Sequence, residues 1–148
     1  MQAAINAMIR SPQPPGSPNR QIVFTASLCS FAIVPGYASY APLKAAIRML
    51  ADTLREECLL YDIDVAISFP ANIRTPGFEI ENLTKPALTV KMEGTAGEES
   101  AEDVAKYIID RLDRGHKFIT YEFIGTMMKV SLPIHVDIEY ANWDDSSR

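Results

Sequence analysis

The sequence predicts an α/β fold with a parallel sheet flanked by helices, and three observations predict it. Two short apolar runs, residues 21–26 and 64–69, read as buried strands. One amphipathic helical pattern, from Ser39 to about Tyr61, fills the space between them. A strand–helix–strand order brings its two strands into one sheet as parallel neighbours.

The elements follow in chain order. Residues 1–9 carry a helical pattern of apolar and small side chains that starts without an N-cap, which reads as the tail of a helix. Residues 10–20 hold four prolines and form a surface connector. The run Gln21-Ile22-Val23-Phe24-Thr25-Ala26 is apolar on both faces and suits a central strand, with Ser27 at its C-terminal end. Ligands of open α/β sheets bind at that end. Residues 28–38 make a loop that turns at Pro35-Gly36. Ser39 stands where it can N-cap the next helix, and Pro42 falls harmlessly in its first turn. Leu43, Ile47, Leu50 and Leu54 are its expected buried stripe, with Ala45, Ala46 and Met49 beside them. Arg48, Asp52, Arg55 and Glu56 are its expected solvated face.

After the second strand, residues 70–77 form a loop on the same side as Ser27, and residues 78–86 a short helix or lid. Residues 87–99 look irregular. Ser100-Ala101-Glu102-Asp103 is a capping box that opens a helix through Val104, Tyr107, Ile108, Ile109 and Leu112 to Gly115. Residues 118–121 suit a third strand, 123–136 a helix broken at Pro133, and 137–148 a polar, flexible tail. The whole reads as a single domain over 1–148.

Composition narrows the function. The chain has 148 residues and a net charge of −5, which argues against a nucleic-acid partner. Cys29 and Cys58 make neither a disulfide framework nor a zinc site. No apolar run approaches the length of a membrane span, and the N-terminus has no secretory-signal pattern. His116 and His135 are isolated, and the expectation is no metal site. Asn82-Leu83-Thr84 matches a glycosylation acceptor by chance spacing, and the Glu56-Glu57 pair belongs to the surface.

Chemistry concentrates between Ser27 and Lys44. Tyr40 and Lys44 are four residues apart at the start of a helix, so phenol and ammonium share a face. A nearby ammonium favours phenolate, and a free tyrosine titrates near pH ~10. The pair can therefore hold and deliver a proton at neutral pH. Ser27, thirteen residues before Tyr40 and at a strand end, gathers at the same edge of the sheet.

In that setting the residues resemble the short-chain dehydrogenase/reductase family. Ser27, Tyr40 and Lys44 match its Ser and Tyr-x-x-x-Lys, and Pro70 to Thr75 matches its Pro-Gly-x-x-x-Thr loop, with Ala71 where Gly is usual. The match covers nearly the whole chain but corresponds to the family's second half. The resemblance implies a partial Rossmann-like sheet lacking the N-terminal nucleotide-binding strands. The Gly-rich Thr-Gly-x-x-x-Gly-x-Gly turn that carries the pyrophosphate does not occur in these residues. It also implies roles. Tyr40 would protonate a carbonyl oxygen as hydride arrives, and Ser27 would hydrogen-bond that oxygen. Lys44 would hold the nicotinamide ribose and favour the Tyr40 phenolate. Tyr40, Lys44, Pro70, Ile73 and Thr75 would contact NADPH.

A narrower resemblance lies in Thr75-Pro76-Gly77-Phe78-Glu79-Ile80-Glu81-Asn82-Leu83-Thr84-Lys85-Pro86, and in residues 44–55. These segments are similar to 3-ketodihydrosphingosine reductases, which reduce that sphingoid-base ketone with NADPH at the cytosolic face of the endoplasmic reticulum membrane. The resemblance implies the same substrate, peripheral contact with that membrane, and a homo-oligomer formed through the helix after Ser39. Two alternatives stand beside it. One is a reductase of the same family acting on another ketone or alcohol. The other is a non-enzymatic remnant that acts by binding a partner.

Overall fold

The computed structural model of the chain describes residues 1–32, 34–93 and 98–121. The expected helix over 123–136 with its break at Pro133, the tail 137–148 and His135 lie outside those residues. The order of elements is helix α1 (Gln2–Arg10), strand β1 (Arg20–Thr25), helix α2 (Tyr40–Cys58), strands β2 (Ile63–Phe69) and β3 (Asn72–Arg74), helices α3 (Pro76–Asn82) and α4 (Ala87–Glu93), strand β4 (Glu98–Ser100), helix α5 (Ala101–Asp113) and strand β5 (Phe118–Thr120). Single turns of 3-10 helix, Leu28–Ser30 and Leu59–Tyr61, flank α2 on either side.

The sheet is parallel, as the strand–helix–strand order requires. Its order is β1-β2-β5, with Ile22 opposite Val65 and Ser68 opposite Ile119. Among the described residues the central strand is β2, where the sequence suggested β1. Among them β1 is an edge strand, and its Val23 is 41% exposed. An apolar run reports that side chains suit a sheet interior, but it does not report strand order. Ile63, Val65, Ile67 and Phe69 of β2 form the core with Ile22, Ala51, Leu54 and Cys58. Phe69 stacks against Phe31 at 4.6 Å and against Phe118 at 4.5 Å between ring centroids, joining the loop after β1 to β5.

Helix α2 lies on this sheet with a face that differs from the expected one. Ala51, Leu54 and Cys58 are buried and Ile47 is half-buried, while Leu43 is 67% exposed and Met49 and Leu50 are exposed as well. The buried face is centred on Ala51, which is fully buried, and Leu50 lies to one side of it; Leu43, in the first turn of the helix, stands outside the core contact. Arg55 is not solvated either. Its guanidinium donates to the Val65 carbonyl at 3.1 Å and pairs with Asp52 at 2.8 Å. The Arg48 guanidinium lies 4.8 Å from the Phe31 ring centroid. At the start of α2, Ser39 occupies the N-cap position with helical backbone angles and makes no side-chain cap.

Residues 87–99, expected to be irregular, contain α4 and β4. Short β4 pairs in parallel with β3, placing Ile73 opposite Glu99. Ser100 caps α5 as expected: its Oγ accepts from the Asp103 amide at 3.0 Å, and its hydroxyl donates to Asp103 Oδ2 at 2.6 Å in place of the reciprocal backbone bond of a full capping box. At the other end of α5 the His116 and Gly115 amides donate to the Arg111 and Leu112 carbonyls. That is a Schellman ending, with Gly115 at φ +78°.

Both cysteines are reduced; Cys58 is buried and Cys29 half-buried. Burial, and after it the neighbouring charge of Glu57, pushes the Cys58 thiol up from its ordinary value. Because the raised value favours the neutral thiol, its contribution to stability is present below the ordinary thiol value and is lost as pH rises through the folded one. Thiolate is the reacting species, so alkylation of the native chain at about pH 8 is expected to modify Cys29 before Cys58. Equal rates at the two positions would contradict the burial of Cys58.

Candidate active site

The C-terminal ends of β1 and β2 are stitched together just below the site. The Ala26 amide donates to the Ser68 carbonyl at 2.9 Å, and the Leu28 amide to the Pro70 carbonyl at 3.3 Å. These bonds set Ser27 beside Pro70. Ser27 has extended backbone angles, is buried, and its Oγ accepts from the Cys29 amide at 3.2 Å. That bond uses an acceptor site of the hydroxyl and leaves its proton available.

Tyr40 and Lys44 occupy the first turns of α2 on one face, as their spacing requires. Lys44 Nζ stands 5.4 Å from the Tyr40 ring centroid and donates to the Thr25 carbonyl at 3.4 Å. Among the described residues that long bond is the one hydrogen bond of the Lys44 side chain, and an ammonium carries three donors. Donors therefore remain for a ligand.

The loop after β2 supplies the opposite wall. Ile73 is held in β3 by its pairing with β4. Thr75 is the N-cap of α3, its hydroxyl accepting from the Phe78 amide at 3.2 Å, and Pro76 follows at the first helical position. The result is an open cleft of about 470 Å³ lined by Ser27, Tyr40, Lys44, Pro70, Ile73 and Thr75 together. All six residues singled out in the sequence thus meet on one surface. The isolated His116 is exposed at the far end of α5. No group of three or more potential metal ligands occurs among the described residues.

Four further residues shape the rim and carried no assigned role in the sequence reading. Tyr37 packs on Tyr40 at 5.3 Å between ring centroids, and its hydroxyl donates to Glu81 Oε1 at 2.7 Å. Lys85 pairs with the same oxygen at 3.2 Å and lies 4.1 Å from the Phe78 ring centroid. The spacing of Glu81 and Lys85, four residues, was the signal available for that pair. Nothing in the sequence pointed from there to Tyr37, 44 positions from Glu81.

A second, more apolar groove of about 480 Å³ adjoins the cleft and shares Cys29 and Tyr37 with it. Its wall includes the Pro35-Gly36 turn, which α4 holds in place: Thr89, fully buried, donates to the Pro35 carbonyl at 2.5 Å. Gly36 has φ +92°, and a Cβ there would meet Thr89 Oγ1 at 2.8 Å and Pro86 Cγ at 3.0 Å. Gly36→Ala is therefore strained in its backbone and crowded by its neighbours. We expect it to cost at least about 1–2 kcal/mol in urea unfolding. A midpoint equal to that of the parent chain would contradict this packing.

Comparison with known proteins agrees with the geometry. The family model described as short chain dehydrogenase matches residues 1–86. A PIGF/3-ketodihydrosphingosine reductase fusion protein of Schizosaccharomyces pombe is 44% identical over 111 residues, which are 75% of this chain and 22% of that protein. A 3-ketodihydrosphingosine reductase of Dictyostelium discoideum is 41% identical over 118 residues, 80% of this chain and 35% of that protein. The chain thus spans between about a fifth and two fifths of the length of the curated relatives it matches. Among solved structures, a short-chain dehydrogenase from Sphingobium yanoikuyae in complex with NADPH superposes with a TM-score of 0.62 at 19% identity, over 98% of this chain and 54% of that one. The parallel sheet, the cleft at its C-terminal edge and the family match over more than half of the chain agree: this chain belongs to the short-chain dehydrogenase family.

Proposed function

We propose that this chain carries the carbonyl-reducing centre of an NADPH-dependent 3-ketodihydrosphingosine reductase, which converts a sphingoid-base ketone to dihydrosphingosine. The observation that carries the reading is the convergence of Ser27, Tyr40 and Lys44 on one cleft. Similarity to curated reductases of that name supports the choice of substrate.

The residues present fit the nicotinamide and ribose end of the cofactor. Lys44 has donors to spare, Ile73 offers an aliphatic wall, and Pro70, Tyr40 and Thr75 complete the surface. Bound there, NADPH would supply the hydride. The Ser27 hydroxyl donates to the ketone oxygen and orients it. Tyr40 Oη gives its proton to that oxygen as negative charge develops, completing the alcohol. Lys44 holds positive charge beside Tyr40, which stabilises the phenolate left behind.

We place the activity at the cytosolic face of the endoplasmic reticulum membrane, with peripheral contact. No described helix is long and apolar enough to cross a membrane. We also propose that a second copy packs on the outer face of α2, where Leu43, Ala46 and Leu50 are exposed. A strictly monomeric mass by light scattering would remove that contact.

The function is tested in a chimera in which this chain replaces the matched region of the Dictyostelium discoideum relative. We expect NADPH consumption that depends on 3-ketodihydrosphingosine. Consumption with simple long-chain ketones and none with the sphingoid ketone would favour a different substrate within the family.

A further inference from the structure

We propose that Glu81 recognises the amino group of the substrate, through a charged hydrogen bond made beside the reacting ketone. This rests on the sphingoid-ketone reading above. In such a substrate the nitrogen sits on the carbon next to the carbonyl, and an aliphatic amine is largely an ammonium at neutral pH. A carboxylate within the same cleft as the proton donor is the chemical complement. Glu81 is the one acidic side chain among the described residues that line the cleft.

Its surroundings fix its position. The Lys85 side chain is 2% exposed, and its ammonium stands 3.2 Å from Glu81 Oε1. The same ammonium lies 4.1 Å from the Phe78 ring centroid and 5.7 Å from that of Tyr37. The ammonium is thus packed between two rings and paired with the carboxylate. The Tyr37 hydroxyl donates to the same Oε1 at 2.7 Å. Glu81 itself is 47% exposed, with the buried cation on its protein side. A carboxylate has two oxygens and about four acceptor sites, of which these two bonds use half. The remaining capacity is open to a donor from the cleft. Because two cations would share one carboxylate, the gain is modest, about tenfold in affinity.

The rival reading is a strut: Glu81 only ties α3 to Tyr37 and the loop before α2. Calorimetric titration of the 148-residue chain at pH 7 separates the two. The probes are 2-aminooctane-1,3-diol, its N-acetyl derivative and octane-1,3-diol, used with the parent chain and with Glu81→Gln. Glutamine keeps an acceptor for Tyr37 and lacks the charge. The parent chain is expected to bind the amino diol about tenfold more tightly than either uncharged probe. Glu81→Gln is expected to bind all three alike, with the octane-1,3-diol affinity unchanged. Equal binding of the three probes by the parent chain overturns the inference and leaves the ketone-reductase reading in place. So does a preference that survives Glu81→Gln, or a uniform loss of all three in that variant. The comparison within the parent chain needs no substitution, so an unfolded variant does not shelter the inference. Binding of no probe by the parent chain removes this inference and the sphingoid reading together.

Discussion

Tyr40→Phe, in the chimera, is expected to lower kcat for 3-ketodihydrosphingosine by two to four orders of magnitude, the range that general acid catalysis supplies. Affinity for NADPH, read by fluorescence titration, is expected to change less than about twofold. The substitution removes one hydroxyl and keeps the ring that packs on Tyr37 at 5.3 Å and faces the Lys44 ammonium at 5.4 Å. The cleft is therefore expected to keep its shape while losing the proposed proton donor. A kcat within tenfold of the parent would take Tyr40 out of the mechanism and turn attention to Tyr37. That residue stands beside it, but its hydroxyl is already committed to Glu81.

Phe69→Ala is the second large effect, and it acts on stability. Phe69 is 1% exposed and ends β2, immediately before Pro70 of the cleft. Its ring bridges Phe31, from the loop after β1, and Phe118, from β5. Phe31 and Phe118 also meet each other, at 5.9 Å. Truncation leaves a cavity where three segments converge, and such a loss costs about 3–5 kcal/mol. Urea unfolding monitored by circular dichroism measures it. A cost under about 1 kcal/mol would mean that the triad is not part of the core. Since the stability of a domain of this size is itself about 5–15 kcal/mol, the variant is expected to unfold at markedly lower urea.

Much of this was legible in the sequence. Parallel strands at β1 and β2, the helix between them and the Ser100 cap of α5 followed from periodicity and local chemistry. So did the meeting of Ser27 and Pro70, because both follow strands and both fall at the same sheet edge. What the sequence could not show depended on relations between elements. Strand order put β1 at the edge and β2 in the centre among the described residues. The buried face of α2, centred on Ala51, left Leu50 outward and brought Arg55 inward, while Leu43 in the first turn lies outside the core contact. Residues 87–93 carry two β-branched residues, Thr89 and Val90, and no N-cap signal, so their helix rests on tertiary contacts such as Thr89 with Pro35. The Tyr37–Glu81–Lys85 cluster joins positions far apart in the chain, and spacing along one helix reveals only its second half.

The transferred atoms can be followed directly. The chimera is incubated with 3-ketodihydrosphingosine and NADPH deuterated at the reactive carbon of the nicotinamide, and the lipid product is analysed by mass spectrometry. The expected product is dihydrosphingosine carrying one deuterium at the carbinol carbon that was the ketone, and it is expected to disappear with Tyr40→Phe. NADPH-dependent product formation that persists in Tyr40→Phe, or a parent chimera that forms no dihydrosphingosine, would contradict the proposed mechanism.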